Sequence, residues 1–559
     1  MSAEKVVILG GGVAGLTAAH ELIERGFDVE VYESTPSLGG KAKSNTKNYA
    51  GGGSGLPLPG EHGFRFFPGF YQHIPHTMSR IPFSSDCVLK NLVVAKQSAV
   101  AQENRPLFMF LTHVPHSLQD WIFVFDDWFG RSELGLKPGE GEFFASCLLD
   151  FMSTCDKRRL AALEGKRWWD YVEADTHSLQ YKKLCARGLT RSLVAMSAEV
   201  ASTRTVGSIL VQMMMSMTSQ SATMDRVLNA PTNDAWITPW TDYLVSKGVK
   251  MFLEHQVQSF GFNGTQVTDV TVKTPTSSKI ITGDYYLAAL PVEVARALFT
   301  PQMLTSAPSL RGLPRLQLEW MSGIQFYLGR DVKLCPGHII CADSPWAITC
   351  ISQPQFWNGV DMSTFGDGSI KGLISVDISD WNAQGSKTTT NTARQCSSGA
   401  EIASESWAQL MAHLVATNDP LMTGDQKDFF LDPSITFLPT ENSQPLLINT
   451  IGSWKDRPNA TTEITNLFLA ADYVQTNTDL ATMEGANEAA RRAVNGILAQ
   501  AGSTSSLCDI WKFNEPAAFA PLKAFDETLF DLGLPHPGFR ALRLMARVAN
   551  ALSSSATPS

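Results

Sequence analysis

Charge is what this sequence has little of. Only 18% of its 559 residues are Asp, Glu, Lys or Arg, below the share of about 25% usual in soluble chains. A fold with so few charges must bury much of its surface or line an apolar cavity. The 45 Lys and Arg stand against 54 Asp and Glu, a formal net charge of −9. That excludes the broad basic footprint of a nucleic-acid-binding protein. Paired cysteines are missing too. The nine cysteines form no C-x-x-C pair and are odd in number, the pattern of reduced thiols in a cytoplasmic protein rather than of a disulfide framework or metal site. No positively charged n-region with a cleavage site opens the chain, so no signal peptide is expected. No apolar run reaches ~18 residues, so no membrane-spanning helix is expected either.

What is present begins at once. Val6-Val7-Ile8-Leu9 is a continuous apolar run, the pattern of a strand buried on both faces of a parallel sheet. It leads directly into Gly10-Gly11-Gly12-Val13-Ala14-Gly15, which contains G-x-G-x-x-G. Ala14, Ala18, Ala19, Leu22 and Ile23 then recur at helical spacing, and Gly26 supplies a stop. Asp28 to Glu33 alternates as a second strand and ends on an acid, close to the ~20-residue spacing of a ribose-binding carboxylate. In this arrangement Gly10 permits the tight turn and Gly12 lets the backbone approach a pyrophosphate. Gly15 lets helix and strand pack closely, and Glu33 accepts from ribose hydroxyls.

Leu38-Gly39-Gly40-Lys41-Ala42 follows shortly after Glu33. Here the chain resembles the two-dinucleotide-binding FAD family, whose glycine pair and basic residue lie near the cofactor. Lys41 stands where most members carry Arg, which turns a bidentate contact into a point-charge one. Near the other end, Leu467-Phe468-Leu469-Ala470 reads as a buried strand ending at Asp472, and a helix begins near Thr482 and Met483. This pair resembles the C-terminal FAD signature of the flavin amine oxidase and phytoene desaturase superfamily. The resemblance implies that Asp472 binds the ribityl or pyrophosphate region and that the helix N-terminus at Thr482 and Met483 points at the flavin ring. Ala471 stands where that family usually has glycine. Between the two ends, the resemblance makes Val257 the adenine-contacting valine, ahead of a β-meander.

Gly60 to Tyr71 contains His62-Gly63-Phe64-Arg65 and resembles the flavin-adjacent stretch of hydroxysqualene dehydroxylase-like and carotenoid-desaturase-like proteins. The resemblance puts Gly63, Phe64 and Arg65 at the cofactor. It makes His62 a candidate proton relay and Arg65 a candidate stabiliser of anionic flavin or of a substrate carboxylate. The alternative is that both only hydrogen-bond cofactor or backbone. Trp454 corresponds to a Trp near the flavin in amine oxidases, or else to a plain core residue.

The expected fold is α/β: a discontinuous Rossmann-type FAD domain from residues 1–99, 231–304 and 441–505. An α+β substrate domain is expected from 100–230 and 305–440, and a helical extension from 506–559. The middle is rich in aromatics and methionine, as in Trp121 to Phe125, Trp168-Trp169 and Met213-Met214-Met215, which suits either core or a pocket for a hydrophobic small-molecule substrate. Arg540, Arg543 and Arg547 share one face of an amphipathic segment suited to peripheral membrane contact. The resemblance implies hydride transfer from a long isoprenoid or polyene, with oxygen or a quinone as electron acceptor. Two alternatives stay open: an amine or amino-acid oxidase producing hydrogen peroxide, and a redox-neutral isomerase of an unsaturated lipid.

Overall fold

The computed structural model describes residues 3–63, 65–109, 115–188, 190–191, 196–218 and 225–538. Phe64 and the arginine-bearing segment 539–548 lie outside the described residues.

The N-terminal pattern folds as its periodicity dictates. Strand β1 (Lys5–Leu9) is followed by helix α1 (Val13–Ile23) and strand β2 (Asp28–Tyr32). Val6, Val7, Ile8 and Leu9 are wholly buried, as a strand covered on both faces must be. β1 is the centre of a five-stranded sheet with the order β3 (Lys250–Phe252), β2, β1, β4 (Tyr285–Ala288), β5 (Leu467–Leu469). All four neighbouring pairs are parallel, with Val6 facing Val29 on one side and Tyr285 on the other. Helix α2 (Met483–Gln500) lies on α1. There Asn487 Nδ2 donates to Thr17 Oγ1 at 2.8 Å and to Thr77 Oγ1 at 3.0 Å. The strands 256–262, 267–273 and 278–281 form the expected antiparallel meander.

The chain divides into two compact units. The first comprises Met1–Leu107, Asp225–Asn449 and Ser453–Phe513. Besides the parallel sheet it holds six strands of a second, mostly antiparallel sheet, in the order 99–101, 339–341, 348–352, 372–378, 322–328, 426–431. The expected grouping of 305–440 with 100–230 therefore differs from the units found. The cause is local: the strand 322–328 is knitted to 58–61, where Glu61 N–H donates to Gln325 Oε1 at 2.9 Å and Gly323 N–H donates to the His62 carbonyl. The second unit comprises Phe108–Met224, Thr450–Gly452 and Asn514–Ser559. Its described part is mostly helical, and Trp121, Phe125, Trp168, Trp169, Met213 and Met214 are buried in it. Among the described residues no helix is long and apolar enough to cross a membrane.

One buried charge cluster ties the first unit together. Glu21 of α1 is 1% exposed and meets Arg25 Nη1 at 2.7 Å, Arg491 Nη2 at 3.3 Å and the Arg80 guanidinium. Burial by itself would push this carboxyl up, but Arg491, Arg80 and Arg25 overcome that and bring it down to about 2. A depressed carboxylate contributes stability that is full above its ordinary value and is lost as pH falls towards the folded one. Glu21→Gln, which leaves these guanidinium groups facing a neutral amide, should cost roughly 3–5 kcal/mol at pH 7. The check is the urea midpoint of wild type and variant: the gap should be wide at pH 7 and narrow steadily from pH 4 to pH 2. Equal midpoints at pH 7 would refute the account.

Candidate active site

A cavity of about 610 Å³ opens in the first unit along the C-terminal edge of the parallel sheet, where ligands of open α/β sheets bind. Its first wall is the glycine turn. Gly10 has φ +105°, and a Cβ there would lie 2.4 Å from the Ala289 carbonyl oxygen. Gly12 caps α1 with no side chain, and the first turn carries no acid, so the helix end presents bare N–H groups beside Gly10, Gly12 and Ala14, which line the cavity. Gly15 lies behind that wall: its Cβ would fall 1.9 Å from the Gly10 carbonyl oxygen. The second glycine pair sits against the first. Gly39 N–H donates to the Gly11 carbonyl at 2.8 Å, and Gly40 Cα stands 3.7 Å from a Cβ placed on Gly12. Two loops far weaker as separate signals are thus one structure.

Glu33 is held by the backbone around it. Its Oε2 accepts from Gly11 N–H and its Oε1 from Thr35 N–H, each at 2.8 Å. Val257, Glu33, Gly40 and Lys41 all line the cavity, and Lys41 Nζ donates to the Pro445 carbonyl. From the C-terminal end come Asp472, Thr482 and Met483. Thr482 caps α2, its Oγ1 accepting from Gly485 N–H at 3.1 Å.

His62 and Arg65 also line the cavity but are engaged differently. Arg65 donates to the backbone carbonyls of Lys41 at 2.7 Å and Ala42 at 3.2 Å, and lies 3.6 Å from Glu61. It clamps the loop that follows the second glycine pair. His62 Nδ1 rests on Asp432 Oδ2. Burial pushes the Asp432 carboxyl up, but His62 and Ser434 outweigh it and hold the carboxyl below its ordinary range. Gly63 packs against Asp377, whose Oδ1 would be 2.6 Å from a Cβ on Gly63. Trp454 is not brought to the cavity; the Arg457 guanidinium lies 5.6 Å from its ring.

Asp377, Asp432, Tyr71 and Glu293 belong to or support this wall and were not foreseen. Asp377 had a signal, an acid inside the apolar strand Gly-Leu-Ile-Ser-Val-Asp-Ile. Asp432 had none, because strand pairing alone brings it to His62: its N–H donates to the Gly323 carbonyl, and Gly323 in turn holds the His62 carbonyl.

A family model described as flavin containing amine oxidoreductase matches residues 13–498. The chain belongs to that family. The chain is 23% identical over 537 residues to the zeta-carotene desaturase of Synechocystis sp., covering 89% of this chain and 97% of that protein. The flavin-dependent L-tryptophan oxidase RebO of Lentzea aerocolonigenes is 51% identical, over 51 residues that make up 9% of this chain and 10% of that one. In three dimensions the cyclohexylamine oxidase of Brevibacterium oxydans IH-35A superposes with a TM-score of 0.56 at 13% identity, over 89% of this chain and all of that one. The protein is an FAD-dependent oxidoreductase with the α/β fold of this family.

The residues in the cavity fit FAD. A bare helix N-terminus suits the pyrophosphate, a pre-oriented carboxylate suits the ribose, and the capped end of the 18-residue α2 offers positive dipole to an electron-rich ring.

Proposed function

We propose that this FAD-dependent oxidoreductase dehydrogenates a long apolar polyene of the carotenoid class. What carries the reading is the extent of the likeness to the zeta-carotene desaturase. It runs through cofactor-binding and other segments alike, over 89% of this chain. The likeness to the tryptophan oxidase is confined to 51 residues, a span in keeping with a single dinucleotide-binding unit, which enzymes of many substrates share.

Held in the cavity, FAD would supply the two-electron hydride-accepting chemistry that a dehydrogenation needs. The chain's own residues hold and orient. Gly10, Gly12, Ala14 and Glu33 take the nucleotide end with Val257, Gly15 standing behind them. Gly40, Lys41, Asp472, Thr482 and Met483 take the rest, and Gly63 packs against Asp377 of the cavity wall. Arg65 fixes the Lys41 loop rather than meeting substrate. His62, at the cavity wall with Asp432 Oδ2 against its Nδ1, is placed to take the second hydrogen, which leaves the substrate as a proton.

Anaerobic mixing with zeta-carotene in detergent micelles should bleach the flavin band, and L-tryptophan or cyclohexylamine should not. Bleaching by either amine, with hydrogen peroxide on re-aeration, would replace this reading with the oxidase one. A double-bond shift without net bleaching would replace it with isomerisation. His62→Gln should keep its FAD and bleach ~10²–10⁴-fold more slowly, the usual span for losing a general base. A His62→Gln rate equal to wild type would remove His62 from the chemistry.

A further inference from the structure

The segment that brings Asp472 and Thr482 to the cavity has no regular structure between β5 and α2. Loops of that kind are mobile unless their backbone groups are held. Here one side chain holds them. Arg457 is 3% exposed, and its guanidinium donates to three successive carbonyls: Asp472 at 2.9 Å, Tyr473 at 3.1 Å and Val474 at 2.7 Å. It also pairs with the Asp479 carboxylate, which in turn accepts from Asn449 Nδ2 at 3.0 Å. Asp479 has φ +46°, a left-handed conformation costly for a residue with a Cβ unless its surroundings fix it.

The orientation has a consequence for the other side of the strand end. A peptide group is planar, with C=O and N–H pointing in opposite directions. Turning the Asp472 carbonyl onto Arg457 turns the Tyr473 N–H away from it. Among the described residues the N–H groups of Asp472 and Tyr473 have no hydrogen-bond partner, although Asp472 is at the cavity wall and Tyr473 is buried. Buried N–H groups without a partner are rare in folded proteins. A ligand oxygen is what such a pair awaits.

We infer that Arg457 is the positioning residue for the flavin half of the FAD site. Its planar fork is the template on which residues 472–474 and 479 are wrapped, so that Asp472, the two N–H groups and the α2 N-terminus arrive together. Lysine cannot replace it, because a point charge with three rotating donors does not satisfy three carbonyls and a carboxylate in fixed directions. The nucleotide half, built on Gly10, Gly12 and Glu33, does not depend on Arg457.

That separation supplies the test. Flavin-free protein is titrated calorimetrically with FAD and, separately, with ADP, which occupies only the nucleotide half. In Arg457→Met the FAD dissociation constant should rise at least ~10-fold, the loss of one or two charge-assisted hydrogen bonds. The ADP constant should stay within about twofold, an energy below RT. Arg457→Lys should fall between wild type and Arg457→Met for FAD and match wild type for ADP. FAD and ADP weakened alike would mean that Arg457 only supports the fold, and FAD unchanged would mean that it positions nothing; either result overturns the inference. Neither measurement uses a substrate, so the outcome is independent of the polyene reading.

Discussion

Purified Glu33→Ala should be colourless at micromolar protein where wild type is yellow. Glu33 is 8% exposed and accepts from the N–H groups of Gly11 and Thr35. Removing it leaves the buried Gly11 N–H without an acceptor, at a cost of about 1–3 kcal/mol, and the part-buried Thr35 N–H without its partner. The same carboxylate is the group proposed for the ribose hydroxyls, so the bound state loses more than the free one. A weakening of FAD binding by at least ~100-fold, about 3 kcal/mol, is expected. Flavin absorbance per protein after gel filtration measures it, and stoichiometric FAD in Glu33→Ala would overturn the assignment of this end of the cavity. Glu33→Gln keeps one acceptor oxygen and should retain part of the flavin.

The second large effect is at Gly15. A methyl there would lie 1.9 Å from the Gly10 carbonyl oxygen and 3.0 Å from its carbon. Both are backbone atoms of the turn that carries the helix end, so no side chain can swing aside. Overpacking in a core usually costs 1–3 kcal/mol, occasionally more, and a backbone clash belongs at or above the top of that range. Gly15→Ala should therefore lose bound FAD and unfold at markedly lower urea. Gly424→Ala, where an added Cβ meets nothing within 4 Å, is the control and should match wild type. A fully yellow Gly15→Ala with an unchanged urea midpoint would show that the turn can open without cost.

Local features were legible in the sequence. The strand, glycine turn, helix and acid at Val6 to Glu33 fall within one short stretch, so sequence spacing alone fixes their geometry. Asp472 and Thr482, which line the cavity, were implied by the family resemblance rather than by spacing. Three placements were not legible, each for a reason of long-range pairing, although Asp377 itself stood out as an acid in an apolar strand. Asp377 reaches the cavity because its strand pairs with 322–328, placing it opposite Gly323. Asp432 reaches His62 through that same Gly323. In the stretch Trp-Lys-Asp-Arg-Pro the aromatic drew the expectation, yet Arg457, three residues on, carries the geometry. A guanidinium that binds carbonyls leaves no periodic mark on the residues that supply them.

The strand order itself bears on how the protein is made. β1 leaves the ribosome well before its partners, for its neighbour β4 begins at Tyr285 and the outer strand β5 at Leu467. At synthesis rates of ~5–20 residues per second, roughly half a minute or more separates the first strand from the last. Until β4 is made, the N-terminal strands present an open apolar edge with nothing yet to pair it. Loading of the cofactor is thus a late event, set by the arrival of α2, and chaperone demand should peak while residues 30–280 are being added.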